Sequence, residues 1–205
     1  MFIGIYNRSV IVTYMGIASA MVGMYLADKH DIRYAILCLV IAGVCDLFDG
    51  KVARMCKRTE DEKLFGIQLD SLADVICFSA LPISIFYGLG LNKWYHVVIY
   101  IAFTLAAITR LGFFNIKVMD SNRDKPVDYY SGLPVTCSAM IFPLFWLLSF
   151  CLERHIFLLT YTILIAVVAF LFVANIKIKK PKGIAYGIFA ILAVLMSLGI
   201  IFIGI

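Results

Sequence analysis

The chain has 205 residues, 63 % of them hydrophobic and 15 % charged, with a formal net charge of +5. Soluble domains carry roughly 45–50 % apolar residues, so this balance excludes an ordinary soluble domain and points to an integral membrane protein. Six cysteines (Cys38, Cys45, Cys56, Cys77, Cys137, Cys151) are scattered with neither a CxxC pair nor a disulfide-framework spacing. They read as small core hydrophobes.

Crossing about 30 Å of hydrocarbon takes about 20 apolar residues in a helix. Seven runs approach that length: Val10 to Ala27, Arg33 to Met55, Leu69 to Leu89, Trp94 to Val118, Leu133 to Leu152, Ile156 to Ile176 and Ile184 to Ile205. The first follows a short polar Asn7-Arg8-Ser9 and lacks a small-residue cleavage pattern, so it reads as a retained helix and not a signal peptide. Pro82 and Pro143 are expected to kink their runs, which a bundle tolerates. Connections are short, with no Ser/Pro/Gly-rich linker and no internal repeat, which predicts one integral-membrane domain over residues 1–205. The expected fold is all-α, a polytopic transmembrane bundle of about seven helices.

Cytoplasmic loops accumulate Lys and Arg. With the N-terminus inside, fourteen basic residues lie on the inner side (Arg8, Lys51, Arg54, Lys57, Arg58, Lys63, Arg110, Lys117, Arg123, Lys125, Lys177, Lys179, Lys180, Lys182) against four outside (Lys29, Arg33, Lys93, Arg154). The expected location is a cell membrane, with the basic face toward anionic lipid headgroups and phosphorylated substrates; no nucleic-acid partner is expected. His30, His96 and His155 fall in outer loops without a zinc-ligand spacing.

Four acids interrupt two of the apolar runs: Asp46 and Asp49 in the second, Asp70 and Asp74 in the third. Ionisable residues at membrane depth are costly and mark function by default. Asp46 lies about 20 Å along its helix from Arg33, toward the inner end. Spacings of three and four put each pair on one helix face, and a short basic loop makes the helices antiparallel neighbours. Converging carboxylates need cations, so one or two divalent ions are expected, Mg²⁺ or Mn²⁺ before Ca²⁺. Gly50, Ala53 and Gly66 either admit a ligand to the helix backbone or serve tight helix packing. Lys51 and Arg54 lie where they can grip phosphate oxygens.

These residues resemble the signature of the CDP-alcohol phosphatidyltransferases: Asp46-x-x-Asp49-Gly50-x-x-Ala53-Arg54, a spacer, then Gly66-x-x-x-Asp70-x-x-x-Asp74. The spacer, Met55 to Phe65, is longer than the family's common one, so the resemblance does not fix which spacer residue reaches the donor. It implies an enzyme that transfers a phosphatidyl-type group from a CDP-activated lipid to an alcohol. It further implies metal held by Asp46, Asp49, Asp70 and Asp74, Asp74 as general base, and the nucleotide near Asp46, Gly50, Ala53 and Gly66; by position, Arg54, Lys51 and Thr13 join these as candidates for binding the CDP-lipid. The family commonly forms homodimers.

Three further stretches are similar to the phosphatidylserine synthase branch: Asp70-Ser71-Leu72-Ala73-Asp74 followed by Cys77 to Pro82, Arg110-Leu111-Gly112-Phe113-Phe114-Asn115, and Tyr130-Ser131-Gly132-Leu133-Pro134. They make L-serine the expected acceptor, with Arg110 and Asn115 as candidate serine-binding residues, Arg110 for the carboxylate and Asn115 nearby. The plain reading of Arg110 is an inner-leaflet anchor. Asp120, Asp124 and Asp128 are candidates for the ammonium or are solvated loop charges, and the loop Met119 to Ser131 is a candidate lid. Glycerol phosphate or inositol phosphate is the alternative acceptor, for which Lys117, Arg123 and Lys125 supply cations. A cation or proton transporter is the alternative of another class, disfavoured because these acids cluster toward one leaflet instead of the midplane. The seventh run exceeds the family's six-helix core.

Overall fold

The computed structural model describes residues 4, 8–55, 58–120, 129–179 and 184–202. Their helices are α1 (Arg8–Asp28), α2 (Ile32–Met55), α3 (Glu60–Val75), α4 (Leu81–Gly88), α5 (Trp94–Asp120), α6 (Ser138–Trp146), α7 (Arg154–Val173) and α8 (Ile184–Phe202). A π-helical turn, Ile76–Ala80, joins α3 to α4 without a break, so the described residues form seven helical rods. Pro82 stands at the start of α4 directly after that wide turn, where its missing N–H costs least. The α6 rod runs through Pro143 and tightens into 3₁₀ geometry at Leu147–Phe150.

Four rods are long and apolar enough to cross a membrane: Val10–Asp28, Glu60–Gly88, Trp94–Lys117 and Arg154–Val173. The chain is a membrane protein. α2 matches them in length at 24 residues, but Asp46, Asp49 and Lys51 break its apolar run. The rods Val135–Phe150 and Phe189–Phe202 are apolar but shorter.

Hydropathy opens the third run at Leu69, whereas the helix opens at Glu60. The cause is a capping box. Thr59 Oγ1 accepts from the Glu62 N–H at 3.2 Å, and the Thr59 N–H donates to Glu62 Oε2 at 2.7 Å. Glu60, Asp61 and Glu62 place negative charge on the positive end of the helix dipole. Most of the long spacer is therefore rigid helix, and the link from α2 to α3 is only residues 56–59.

Packing is centred on α2, which lies along α1 and touches α4, α6 and α8, while α5 packs on α7. Glycines set two of these approaches: a Cβ at Gly23 would lie 2.9 Å from Cys38 Cβ, and one at Gly43 would lie 2.5 Å from Ala139 Cβ. Away from the acids, Phe86, Phe103, Phe142 and Tyr161 fill the core edge to face, with Phe86 and Phe142 centroids 4.8 Å apart. The Tyr161 hydroxyl is satisfied by donating to the Phe142 carbonyl at 3.2 Å.

His96 departs from the expectation of a loop residue. It is buried in the first turn of α5, where Nδ1 accepts from the Lys93 N–H at 3.1 Å and Nε2 lies 3.2 Å from Thr162 Oγ1. Apolar flanks hid this role, because the cap bond and the α7 partner depend on tertiary placement. His30 stays exposed in the α1–α2 turn with φ 60°.

A two-stranded antiparallel ribbon pairs β1 (Tyr129–Ser131) with β2 (Lys177–Lys179), tying the α5–α6 connection to the segment after α7. Gly132 follows with φ +78°, and a Cβ there would lie 2.5 Å from the Phe172 carbonyl oxygen. Its N–H donates to Ile176 O at 2.9 Å, and the Leu133 N–H to Leu171 O at 3.0 Å. The Gly-Leu-Pro stretch thus docks the loop on the end of α7, a position only glycine occupies without strain.

The seventh run is an integral part of the bundle. Ala193, Met196 and Ile200 of α8 are buried, and Arg33 Nε of α2 donates to Ile200 O at 2.7 Å. That bond places a cation on the carbonyl end of α8, where the helix dipole favours it.

Candidate active site

The antiparallel α2 and α3 bring the two carboxylate pairs together from opposite helices. One oxygen from each of Asp46, Asp49 and Asp70 lies within 4.8 Å of the others, and the Asp74 carboxyl lines the same small space beside Asp46. Asp49 and Asp74 are buried, at 7 % and 8 % exposure. Like charges this close in a poorly polarisable setting repel strongly. Three hard oxygens at this separation match the donor set of a divalent cation such as Mg²⁺, Mn²⁺ or Ca²⁺. The residues present therefore fit a divalent metal, with Asp74 standing beside the group of three.

α1 contributes Thr13, whose Oγ1 donates to Asp49 Oδ2 at 2.9 Å. A hydroxyl donor of this kind holds a carboxylate in one orientation, the usual task of a residue behind a metal ligand. Sequence reading placed Thr13 with the donor; the structure adds its bond to Asp49.

Two spaces adjoin the carboxylates. One, of about 10 Å³, lies among Asp46, Asp49, Asp70 and Asp74, with Cys45 and Cys77 in its walls; it has room for about one water. The other, of about 180 Å³, opens beside Asp49 and Asp70 and is lined by Thr13, Gly50, Ala53, Arg58 and Gly66. At Gly50 an added Cβ would meet nothing within 4 Å, and at Gly66 it would meet only Arg58 Nη1, at 3.5 Å. Unlike Gly23 and Gly43, these two glycines serve no close helix contact among the described residues. They leave open space at the cavity wall.

Arg110 is buried at 8 % exposure, within electrostatic reach of both Asp74 and Cys137, its guanidinium 5.8 Å from the Phe114 ring centroid. That burial is not the position of a headgroup anchor, and it depends on α5 packing against α3, which spacing along one helix does not encode. Asn115 Oδ1 accepts from Ser71 Oγ at 3.0 Å, joining α5 to α3 next to Asp70. Lys51 is exposed with its ammonium 5.5 Å from the Phe48 ring centroid, and it does not line the cavity. The side chains of Arg54 and Asp120 lie outside the described residues, as does segment 121–128 with Arg123, Asp124, Lys125 and Asp128. Arg58 is the cavity residue that sequence reading passed over. Its only signal was its place beside the Thr59 cap.

A helical membrane bundle with a hard-oxygen metal site beside an open cavity defines an integral-membrane protein built for divalent-metal chemistry. The chain belongs to the CDP-alcohol phosphatidyltransferase family, whose model matches residues 6–173, from α1 to the end of α7. It is 28 % identical to a CDP-diacylglycerol–serine O-phosphatidyltransferase of Helicobacter pylori over 194 residues, 89 % of this chain and 76 % of that one. It is 35 % identical to the protein of that name in Saccharomyces cerevisiae over 100 residues, 47 % of this chain and 35 % of the yeast one. An archaetidylserine synthase of Methanothermobacter thermautotrophicus is 25 % identical over 167 residues, 81 % of this chain and 66 % of that one. The match to the yeast relative thus spans about a third of its length.

Proposed function

We propose that this protein transfers a phosphatidyl group, or its ether-lipid equivalent, from a CDP-activated lipid to the hydroxyl of L-serine and releases CMP. The observation that carries the reading is the convergence of Asp46, Asp49 and Asp70 oxygens beside a cavity opened by Gly50, Ala53 and Gly66. Serine as acceptor is supported by the names of the relatives.

In this mechanism Asp46, Asp49 and Asp70, completed by Asp74, hold one or two Mg²⁺ or Mn²⁺ ions. Bound metal supplies charge neutralisation at the donor's diphosphate and at the departing CMP phosphate. Thr13 keeps Asp49 in the ligating orientation. Asp74 accepts the proton of the serine hydroxyl as its oxygen bonds to the lipid-side phosphorus and the phosphorus–oxygen bond to CMP breaks. Gly50, Ala53 and Gly66 admit the nucleotide, with Arg54 at the phosphate side, while the exposed Lys51 lies outside the cavity lining. Arg110 pairs with the serine carboxylate; its burial near Asp74 supports this, since a guanidinium fork binds a carboxylate through two parallel hydrogen bonds. Asn115, held by Ser71, flanks that subsite.

The reading extends to the whole chain: one membrane domain over residues 1–205 in a cell membrane, acting as a homodimer, with the N-terminus and the aspartate end facing the cytoplasm. The excess of Lys and Arg at that end supports the orientation. The test is CMP release by purified protein given CDP-diacylglycerol or its archaeal ether analogue, Mn²⁺ or Mg²⁺, and serine, glycerol phosphate or inositol phosphate in turn. Release with serine alone is expected. Release with another acceptor and none with serine overturns the assignment.

A further inference from the structure

We propose that Arg58 is a phosphate-binding residue of the donor site, its guanidinium gripping the nucleotide-side phosphate of the CDP-lipid from the wall of the cavity shared with Asp49 and Asp70. The inference rests on the reading above and adds a residue that lies in the spacer, outside the eight signature positions.

Three observations carry it. First, Arg58 lines the same 180 Å³ cavity as Asp49, Asp70, Gly50 and Gly66, so the space has carboxylates on one wall and a guanidinium on another. Diphosphate suits such a cavity, since it offers several anionic oxygens at once, some for the guanidinium and others for a divalent ion that Asp46, Asp49 and Asp70 would hold. Second, the guanidinium lies against bare helix backbone: a Cβ at Gly66 would sit 3.5 Å from Nη1. Third, Arg58 is half-buried yet makes no hydrogen bond or ion pair with the described residues. Two acids of the next turn are engaged elsewhere, Glu60 with Lys63 at 2.7 Å and Glu62 with the Thr59 N–H. A partly desolvated cation with no partner among the described residues is costly unless an anion is supplied, as a bound ligand would do.

The backbone explains why this residue is ready to bind. Arg58 immediately precedes the helix cap, and the Thr59–Glu62 box fixes the chain there, so the guanidinium starts from a rigid base. Transfer raises the negative charge on the CMP phosphate as its bond to the lipid-side phosphorus breaks. A planar fork that meets two of its oxygens holds the leaving group more tightly as that charge grows.

The experiment compares wild type, Arg58→Ala and Arg58→Lys in CMP release, in inhibition by CMP and by cytidine, and in direct CMP binding by calorimetry with Mn²⁺. Loss of one charge-assisted contact predicts at least about a tenfold rise in donor KM for the alanine variant, with CMP binding weakened in parallel. Cytidine inhibition, serine KM and melting temperature stay at wild-type values, and lysine recovers part of the loss. Donor KM and CMP affinity within twofold of wild type overturn the proposal, as does an equal loss for cytidine. If wild type releases no CMP with any acceptor, the transferase reading falls, while the calorimetry still decides whether Arg58 binds phosphate.

Discussion

At the scale of single residues, the site divides its carboxylates by what surrounds them. Asp46, Asp49 and Asp70 offer converging oxygens, and Asp74 sits against Asp46 with Arg110 in electrostatic reach. As the proposed base, Asp74→Asn removes the proton acceptor but keeps the shape. CMP release should fall by about 10²- to 10⁴-fold while CDP-lipid binding persists, measured by turnover and donor binding on the same preparation. Thr13→Val deletes the donor to Asp49 Oδ2 at nearly constant volume. Since partners of this kind are worth about 10- to 100-fold in metal affinity, the Mn²⁺ concentration for half-maximal activity should rise by that factor. An unchanged Mn²⁺ requirement would assign Thr13 to packing alone.

At the scale of elements, two kinds of glycine make opposite predictions. Gly43 lets α2 approach Ala139 of α6, so Gly43→Leu overpacks the contact and should lower unfolding stability in detergent by about 1–3 kcal/mol. Gly50 faces open space. Gly50→Ala should leave the melting temperature in place and raise the donor KM, because the added methyl enters the cavity. The capping box makes the third element-level forecast: Thr59→Ala removes the side-chain acceptor for the Glu62 N–H and should cost about 1 kcal/mol.

At the scale of the molecule, the exposed Cys151 sits between α6 and α7 beside the α4–α5 connection, where Arg154 Nη2 lies 3.7 Å from the place of a Cβ at Gly90, a full α4 away from the acids. With the N-terminus cytoplasmic, a membrane-impermeant maleimide added to intact cells should label Cys151, and Cys151→Ser should abolish that signal. Labelling only after the membrane is opened would invert the orientation. α8 lies beyond the family-matched region yet is tied to α2 through Arg33 and Ile200, so the bundle is larger than the part that defines its family.

How much of this was legible beforehand follows from which forces are local. Seven apolar runs and two helical carboxylate pairs can be read from spacing alone, because a helix fixes which residues share a face and hydrocarbon fixes how long an apolar run must be. The eight signature positions point to the family for the same reason, since they carry their chemistry at fixed intervals. Other features depend on partners remote in sequence. Thr13 reaches Asp49 across 36 positions, and His96 meets Thr162 across 66. Only folding shows that Gly50 and Gly66 face open space while Gly23 and Gly43 face neighbouring helices, because a glycine carries no side chain to announce its surroundings. Arg58 looked like one more inner-face charge until a capped turn placed it in the cavity wall. The sequence by itself determined the membrane bundle, the four acids and their pairing. The tertiary structure decided which oxygens converge, which glycines open the cavity and which cation lines it, because those are matters of approach between helices that no local spacing encodes.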